Sequence, residues 1–313
     1  MLRSVGLSSA GSSRHTVPAW LPWMIWFLGA LLFCYGFFQR TAPSVIIDSL
    51  MRDFAVGAAV LGNLSAIYLY AYASLQIPVG LLADAWGPRR LLTAGALCCG
   101  MGSLLFSLAP ELYLAYLGRL FVGVGAAVSF VGTLKLATNW FRASRFAQLT
   151  GMTMALGMLG GVGGQVPLAA AVEAFNWRNA LTVASLLGLL LAVLVWFIVS
   201  DRRPGSSTPE RQDASSIVSS LKLVFAMPRQ WMLALIGCAM TAPLLSFAGL
   251  WGVAWLMQIH GMGRPEAASH TSLMLLGWAI GSPLAGYLAD RIGRRMPIVR
   301  AGGLLGLFSF LLL

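Results

Sequence analysis

Apolar runs long enough to cross a bilayer recur along the whole chain, each closed by a short polar break. About twenty consecutive apolar residues, rising roughly 1.5 Å each, carry a helix across the hydrocarbon layer. Runs of that kind lie near 20–38, 57–83, 91–109, 112–134, 146–171 and 180–199, then 231–257 and 271–289, with a ninth beginning near 298. The first, from Trp20 to Phe38, is longer than the apolar core of a signal peptide, and no small-residue cleavage pattern follows it. Trp20, Trp23 and Trp26 suit the membrane interface at its start. The pattern predicts an all-α, multi-pass membrane protein.

The polar breaks divide the chain. Residues 1–17 are Ser-rich and weakly basic and read as a tail outside the membrane. Six runs follow, over 18–200, as one helical bundle. Then comes Asp201-Arg-Arg-Pro-Gly-Ser-Ser-Thr-Pro-Glu-Arg-Gln-Asp213, charged and rich in Pro and Ser, which reads as a linker over 201–229. Residues 230–313 supply about three helices of a second bundle.

One polar break is repeated. Gly80-Leu-Leu-Ala-Asp84-Ala-Trp-Gly87-Pro-Arg89-Arg90 returns 206 residues later as Gly286-Tyr-Leu-Ala-Asp290-Arg-Ile-Gly293-Arg294-Arg295. In both, a small residue, Gly80 or Gly286, is placed to let helices approach closely. Asp84 or Asp290 is placed to cap backbone amides or face a helix N-terminus. Gly87 or Gly293 allows a tight reversal, and the arginines Arg89, Arg90, Arg294 and Arg295 suit the cytoplasmic side. The bland alternative is an ordinary turn between helices, which two copies at this spacing argue against.

Composition narrows the class. The chain is 58% hydrophobic and only 10% charged, with mean hydropathy +0.79, whereas a soluble domain carries about 25% charged residues. The net charge of +11 does not imply nucleic acid, because the bases are sorted by side. With the N-terminus inside, sixteen of the 21 lysines and arginines fall in cytoplasmic segments. Arg40, Arg52, Arg178 and Arg264 fall on the other side, and Arg119 is left within a helix. That bias fixes the expected topology. Cys34, Cys98, Cys99 and Cys238 all sit in apolar runs without Cys-x-x-Cys spacing and read as small hydrophobes. Neither metal-ligand spacing nor a phosphate-binding Gly-x-x-x-x-Gly-Lys loop occurs, and no nucleophile–base set is evident, so no cofactor and no enzyme activity are expected.

Arg119 is the candidate of most chemical weight. It lies about 10 Å into the fourth run, taking seven residues at roughly 1.5 Å each. A cation there faces a cavity or a partner. It either meets an anion or a coupling ion, or ties the fourth helix to the first through backbone carbonyls. Tyr35, Gln39 and Arg40 close the first run. Tyr68 and Tyr72 share a face of the second, as do Trp251 and Trp255 on the seventh. Such aromatics also serve as interface anchors. The stretch Gly157-Met-Leu-Gly160-Gly161-Val-Gly163-Gly164-Gln165-Val-Pro167 permits close packing and a bend near Pro167. Asp and Glu fall only at run ends, which gives no support to proton symport.

The repeated Gly-x-x-x-Asp loop resembles the major facilitator superfamily of transporters, which carries it after helices 2 and 8. The second copy fits well; the first departs at Ala85 and Pro88. Arg119 with Gly123 resembles that family's Arg-x-x-x-Gly setting in helix 4, and the Gly-rich fifth run is loosely similar to a pattern often associated with antiporters. The stretches Asn63–Tyr72, Gln76–Gly80 and Lys135–Arg142 resemble bacterial carriers akin to phagosomal nutrient transporters and the lysosomal dipeptide carrier. The resemblance implies that helices 1, 4 and 7 line a cavity, so Arg119, Tyr35, Gln39, Tyr68, Tyr72 and Trp251 become the expected solute-binding residues. It implies alternating-access movement of a small polar, carboxylate-bearing solute (an amino acid, a small peptide or an organic anion) across a bacterial inner membrane. The bilayer is then the other partner. The alternative is a sensor, assembly subunit or inactive fragment that keeps the fold. A twelve-span carrier needs about 400 residues, so the chain is expected to be C-terminally truncated and to transport poorly alone.

Overall fold

The computed structural model describes residues 18–201, 225–292 and 296–311. The expected tail, most of the linker, and Gly293, Arg294 and Arg295 lie outside the described residues. The helices are α1 (Leu21–Thr41), α2 (Pro43–Phe54), α3 (Ala58–Trp86), α4 (Pro88–Leu108), α5 (Leu112–Trp140), α6 (Phe146–Gly163), α7 (Val166–Phe175), α8 (Trp177–Ile198), α9 (Pro228–Ser246), α10 (Gly252–His260), α11 (Arg264–Ile292) and α12 (Met296–Leu311). A π-helical turn, Phe247–Trp251, joins α9 to α10. Seven continuous helical stretches among the described residues are long and apolar enough to cross a membrane. The 29-residue α11 carries Arg264, Glu266 and His270 in its first two turns, and α12 has 16 residues.

Prolines shape the long spans. A proline has no amide and clashes with the carbonyl four residues back. Pro167 is the second residue of α7, and the fifth span breaks just before it, at Gly164 and Gln165, as its sequence predicts. Pro43 follows Ala42, whose own backbone is helical at φ −48° and ψ −40°. The first span therefore runs on through α2 instead of ending near Phe38. Ala42, Val45, Ile46, Ile47 and Leu50 are all buried in the core that follows. Arg40, expected outside the membrane, lies inside the bundle.

Spans before residue 200 pack on glycine. Gly95 and Gly102 on α4, and Gly118, Gly125 and Gly132 on α5, repeat every seven residues, two helical turns, and so share one face. A Cβ on Gly102 would lie 2.7 Å from the Gly118 carbonyl oxygen, and one on Gly118 would lie 2.7 Å from that of Gly102. The Gly-rich fifth span likewise lies on α1, where a Cβ on Gly160 would collide with the Cys34 carbonyl. Gly80 is different: nothing lies within 4 Å of a Cβ built there, so the close approach expected at Gly80 belongs to α4 and α5.

Helices α10 and α11 meet the first six spans at one end of the bundle. Ala42, Ile46, Leu168, Val172, Val253, Ala254, Ala267 and Ala268 share one buried apolar cluster there. Trp278, further along α11, reaches Phe33, Phe37 and Met158. Toward the other end, Leu284 and Leu288 on α11 and Trp231, Met232, Leu233 and Leu235 on α9 are exposed.

Candidate functional site

Five of the six expected solute-binding residues come together between α1, α3 and α5. Pro43 cannot donate to the Gln39 carbonyl, which leaves that oxygen free inside the helix. Arg119 Nη1 donates to it at 2.8 Å. The tie between the fourth and first spans is thus real, and it uses one guanidinium nitrogen. Arg119 Nε is buried with no partner. Arg119 is 1% exposed, and an arginine within a span costs up to about 2.5–3.5 kcal/mol, the insertion-scale value at a helix centre. The Gln39 side chain is held as well, its Nε2 donating to Tyr35 Oη at 2.8 Å and to Ser103 Oγ at 2.9 Å. Tyr68 Oη donates to the Gly36 carbonyl at 3.3 Å.

Arg40 joins the group from α1. Its guanidinium carbon lies 4.7 Å from the Phe37 ring centre, 4.8 Å from that of Tyr72 and 5.7 Å from that of Tyr68. Arg119 lies 4.9 Å from the same Tyr68 ring. Cation–ring attraction of this kind holds a guanidinium without neutralising it. Arg40 Nε also is buried and unpartnered. Tyr68 and Arg119 form the buried floor of the cluster, and the part-exposed Arg40, Tyr72 and Tyr35 its rim. Sequence reasoning did not place Arg40 in this cluster because a polar triplet ended an apolar run. The available signal was Pro43, four residues after Gln39.

Trp251 stands apart. It approaches Gly62 of α3, where an added Cβ would lie 3.8 Å from its ring. It also lines a cavity of about 500 Å³ with Ala242, Pro243, Ser246 and Phe247. A second cavity, of about 520 Å³, opens where α2, α7, α8, α10 and α11 converge. Arg52, Asp53, Glu173, Arg178 and Arg264 line it. Arg178 Nε pairs there with Asp53 at 3.4 Å, and Trp177 Nε1 donates to Asp53 at 2.9 Å.

The repeated loop behaves in part as expected. Gly87 adopts φ +82°, and an added Cβ would meet the Asp201 carboxylate at 2.7–3.0 Å, so glycine is required for the reversal between α3 and α4. Asp84 is not a cap. Because α3 continues to Trp86, its side chain leaves sideways and pairs with Lys135 Nζ at 2.5 Å. The amide at the start of α4 is capped instead by Asp201, which accepts from Arg89 N at 2.6 Å. Arg89 Nε donates to the Trp196 carbonyl at 2.8 Å, while Arg90 lies exposed in the first turn of α4. Gly286 and Asp290 fall within α11, with their side chains outside the described residues.

Repeated spans with cations buried between them are the layout of a multi-pass carrier. The profile of the Major Facilitator Superfamily matches residues 25–313, and the chain belongs to that family, one of membrane transporters rather than enzymes. It is 24% identical over 276 residues to a probable sulfoacetate transporter of Cupriavidus necator, a match that covers 85% of this chain. The chain spans 64% of that transporter's length. It is 22% identical to a membrane sensor protein, UhpC, of Escherichia coli, over 90% of this chain and 67% of the sensor. The fold resembles the crystal structure of a bacterial homologue of the human lysosomal transporter Spinster in an inward-facing, unoccupied conformation. The TM-score is 0.72 at 20% identity, over 87% of this chain and 63% of that one.

Proposed function

We propose that the protein works as a secondary transporter of a small polar solute that carries a carboxylate or a comparable anionic group. Arg119, with Tyr35, Gln39, Tyr68 and Tyr72, forms the solute site; Trp251, against Gly62 near the start of α3, lies outside that group and takes no direct part. The observation that carries this reading is the buried Arg119 guanidinium, tethered at Nη1 with its Nε left without an acceptor. A carboxylate matches a guanidinium fork and repays its desolvation. The similarity to a probable sulfoacetate transporter supports an organic anion.

Alternating access is part of the same proposal. The bundle 18–200 and the segment 230–313 rock about the site, joined by the linker 201–229. The repeated loop, from Gly80 to Arg90 and from Gly286 to Arg295, lies on the cytoplasmic face of a bacterial inner membrane. The base bias supports that orientation. A cysteine at Ser206 then stays closed to an impermeant reagent applied outside intact cells, and ready labelling there refutes the orientation.

The test of function is saturable uptake of labelled organic anions by the purified protein in liposomes. The similarity to a membrane sensor favours a second reading, a receptor that binds its solute without moving it. Flux excludes that reading; binding without flux is the outcome it shares with a transporter chain that moves solute poorly alone.

A further inference from the structure

We infer that the solute is a dianion, with one anionic group taken by Arg119 and the other by Arg40. This rests on the organic-anion reading of the same site and narrows it. Both guanidinium carbons lie against the Tyr68 ring, at 4.9 Å and 5.7 Å from its centre, so they are no farther apart than those two distances combined. Both Nε atoms are buried without an acceptor. Among the described residues the ion pairs are Asp84–Lys135 and Asp53–Arg178, near opposite ends of the bundle, so neither guanidinium has a carboxylate of the protein's own.

Like charges this close raise one another's energy in a medium of low dielectric. A monoanion neutralises one of them and leaves the other unpaired in a closed site. A short dianion neutralises both and supplies an acceptor to each orphaned Nε. Gln39 and Tyr68 are already committed. Gln39 donates its amide to Tyr35 and Ser103, and Tyr68 donates its hydroxyl to Gly36. The buried groups left without a partner are the two arginine Nε atoms, and two guanidiniums ask for two anionic groups.

The experiment compares matched pairs that differ by one charge: succinate with succinamate, glutarate with glutaramate, and sulfoacetate with its carboxamide. Binding to the purified full chain is read by tryptophan fluorescence and thermal shift at constant ionic strength. The expected result is that at least one dianion binds about tenfold or more tightly than its monoamide, since charge-assisted bidentate pairs are strong. Arg40→Gln should erase that ratio while binding of the monoamide persists, and Arg40→Lys should keep part of it. Monoamides that bind the parent protein as well as their dianions overturn the inference and leave the organic-anion reading standing. A ratio left unchanged by Arg40→Gln does the same. Absence of binding by any anion of either charge overturns the organic-anion reading and this inference together.

Discussion

Arg119 Nη1 donates at 2.8 Å to the Gln39 carbonyl, an oxygen that is free because the residue four positions on is Pro43. The proline and the arginine are thus coupled across two spans. Pro43→Ala restores an amide that competes for the Gln39 oxygen, and the guanidinium loses its fixed seat. Solute affinity should fall severalfold while insertion and thermal stability are kept. Binding and thermal unfolding measured side by side check this, and an unchanged affinity would mean that the tether does not position Arg119.

Arg119 itself gives a sharper contrast. Arg119→Lys keeps the charge and loses the planar fork, so uptake of a carboxylate should fall at least tenfold. Arg119→Ala should abolish uptake with the protein still inserted, because the floor of the cluster then keeps Tyr68 but no cation. Normal uptake by both variants returns Arg119 to a purely structural role.

The spans were legible in the sequence because bilayer thickness imposes run length on any helical protein that crosses it. That five of the six expected residues would lie together was legible because aromatic and cationic side chains in an apolar run need a reason. Arg40 was not, since run length is blind to polar groups that a bundle satisfies internally, as Gln39 is by Tyr35 and Ser103. Asp84 and Gly80 were misread for a related reason. Their motif names residue types, but whether Asp84 caps or pairs depends on how far α3 continues and on whether a partner such as Lys135 waits on another helix. Asp201 took the capping role from across the bundle, where local spacing says nothing.

The glycines separate in a way that stability measurements resolve. Gly118→Ala puts a Cβ 2.7 Å from the Gly102 carbonyl oxygen and the same distance from the Phe106 amide nitrogen, and backbone cannot yield as a side chain does. Overpacking of that kind costs about 1–3 kcal/mol. Gly80→Ala meets nothing within 4 Å and should be neutral or slightly stabilising, because alanine is the better helix former by up to about 1 kcal/mol. Equal loss of thermal stability in both variants would contradict the packing described for α4 and α5.

The two aspartates at the Gly87 reversal should also differ. Asp84 and Lys135 keep 63% and 35% of their side-chain surface exposed, so Asp84→Ala should cost less than about 1 kcal/mol and the loss should shrink with added salt. Asp201→Ala removes the acceptor of the Arg89 amide at the start of α4, and a lost cap costs about 1 kcal/mol, up to 2. Thermal unfolding at low and high salt ranks them, with Asp201 expected to be the more damaging and the less salt-dependent.

Gln165 and Ser272 carry the last prediction. Gln165 sits at the break between α6 and α7, fully buried, and its Oε1 accepts from Ser272 Oγ of α11 at 2.9 Å. Its Nε2 donates to the Ala248 carbonyl. That oxygen is free because the π turn sends the Gly252 amide to Phe247 instead. One amide therefore joins the fifth span to the seventh and eighth through irregular backbone on two of them. In the packed state Gln165→Leu strands the Ala248 carbonyl away from water, at about 1–3 kcal/mol. Separation of the helices lets water reach it and removes that cost. The variant should shift the population toward a state open at the end where α2, α7, α10 and α11 meet. A cysteine at Ala268, buried in that seam, should then react about tenfold faster, since each 1.4 kcal/mol is a factor of ten in population. Labelling as slow as in the Gln165 parent would show that the apolar cluster holds the seam without the amide.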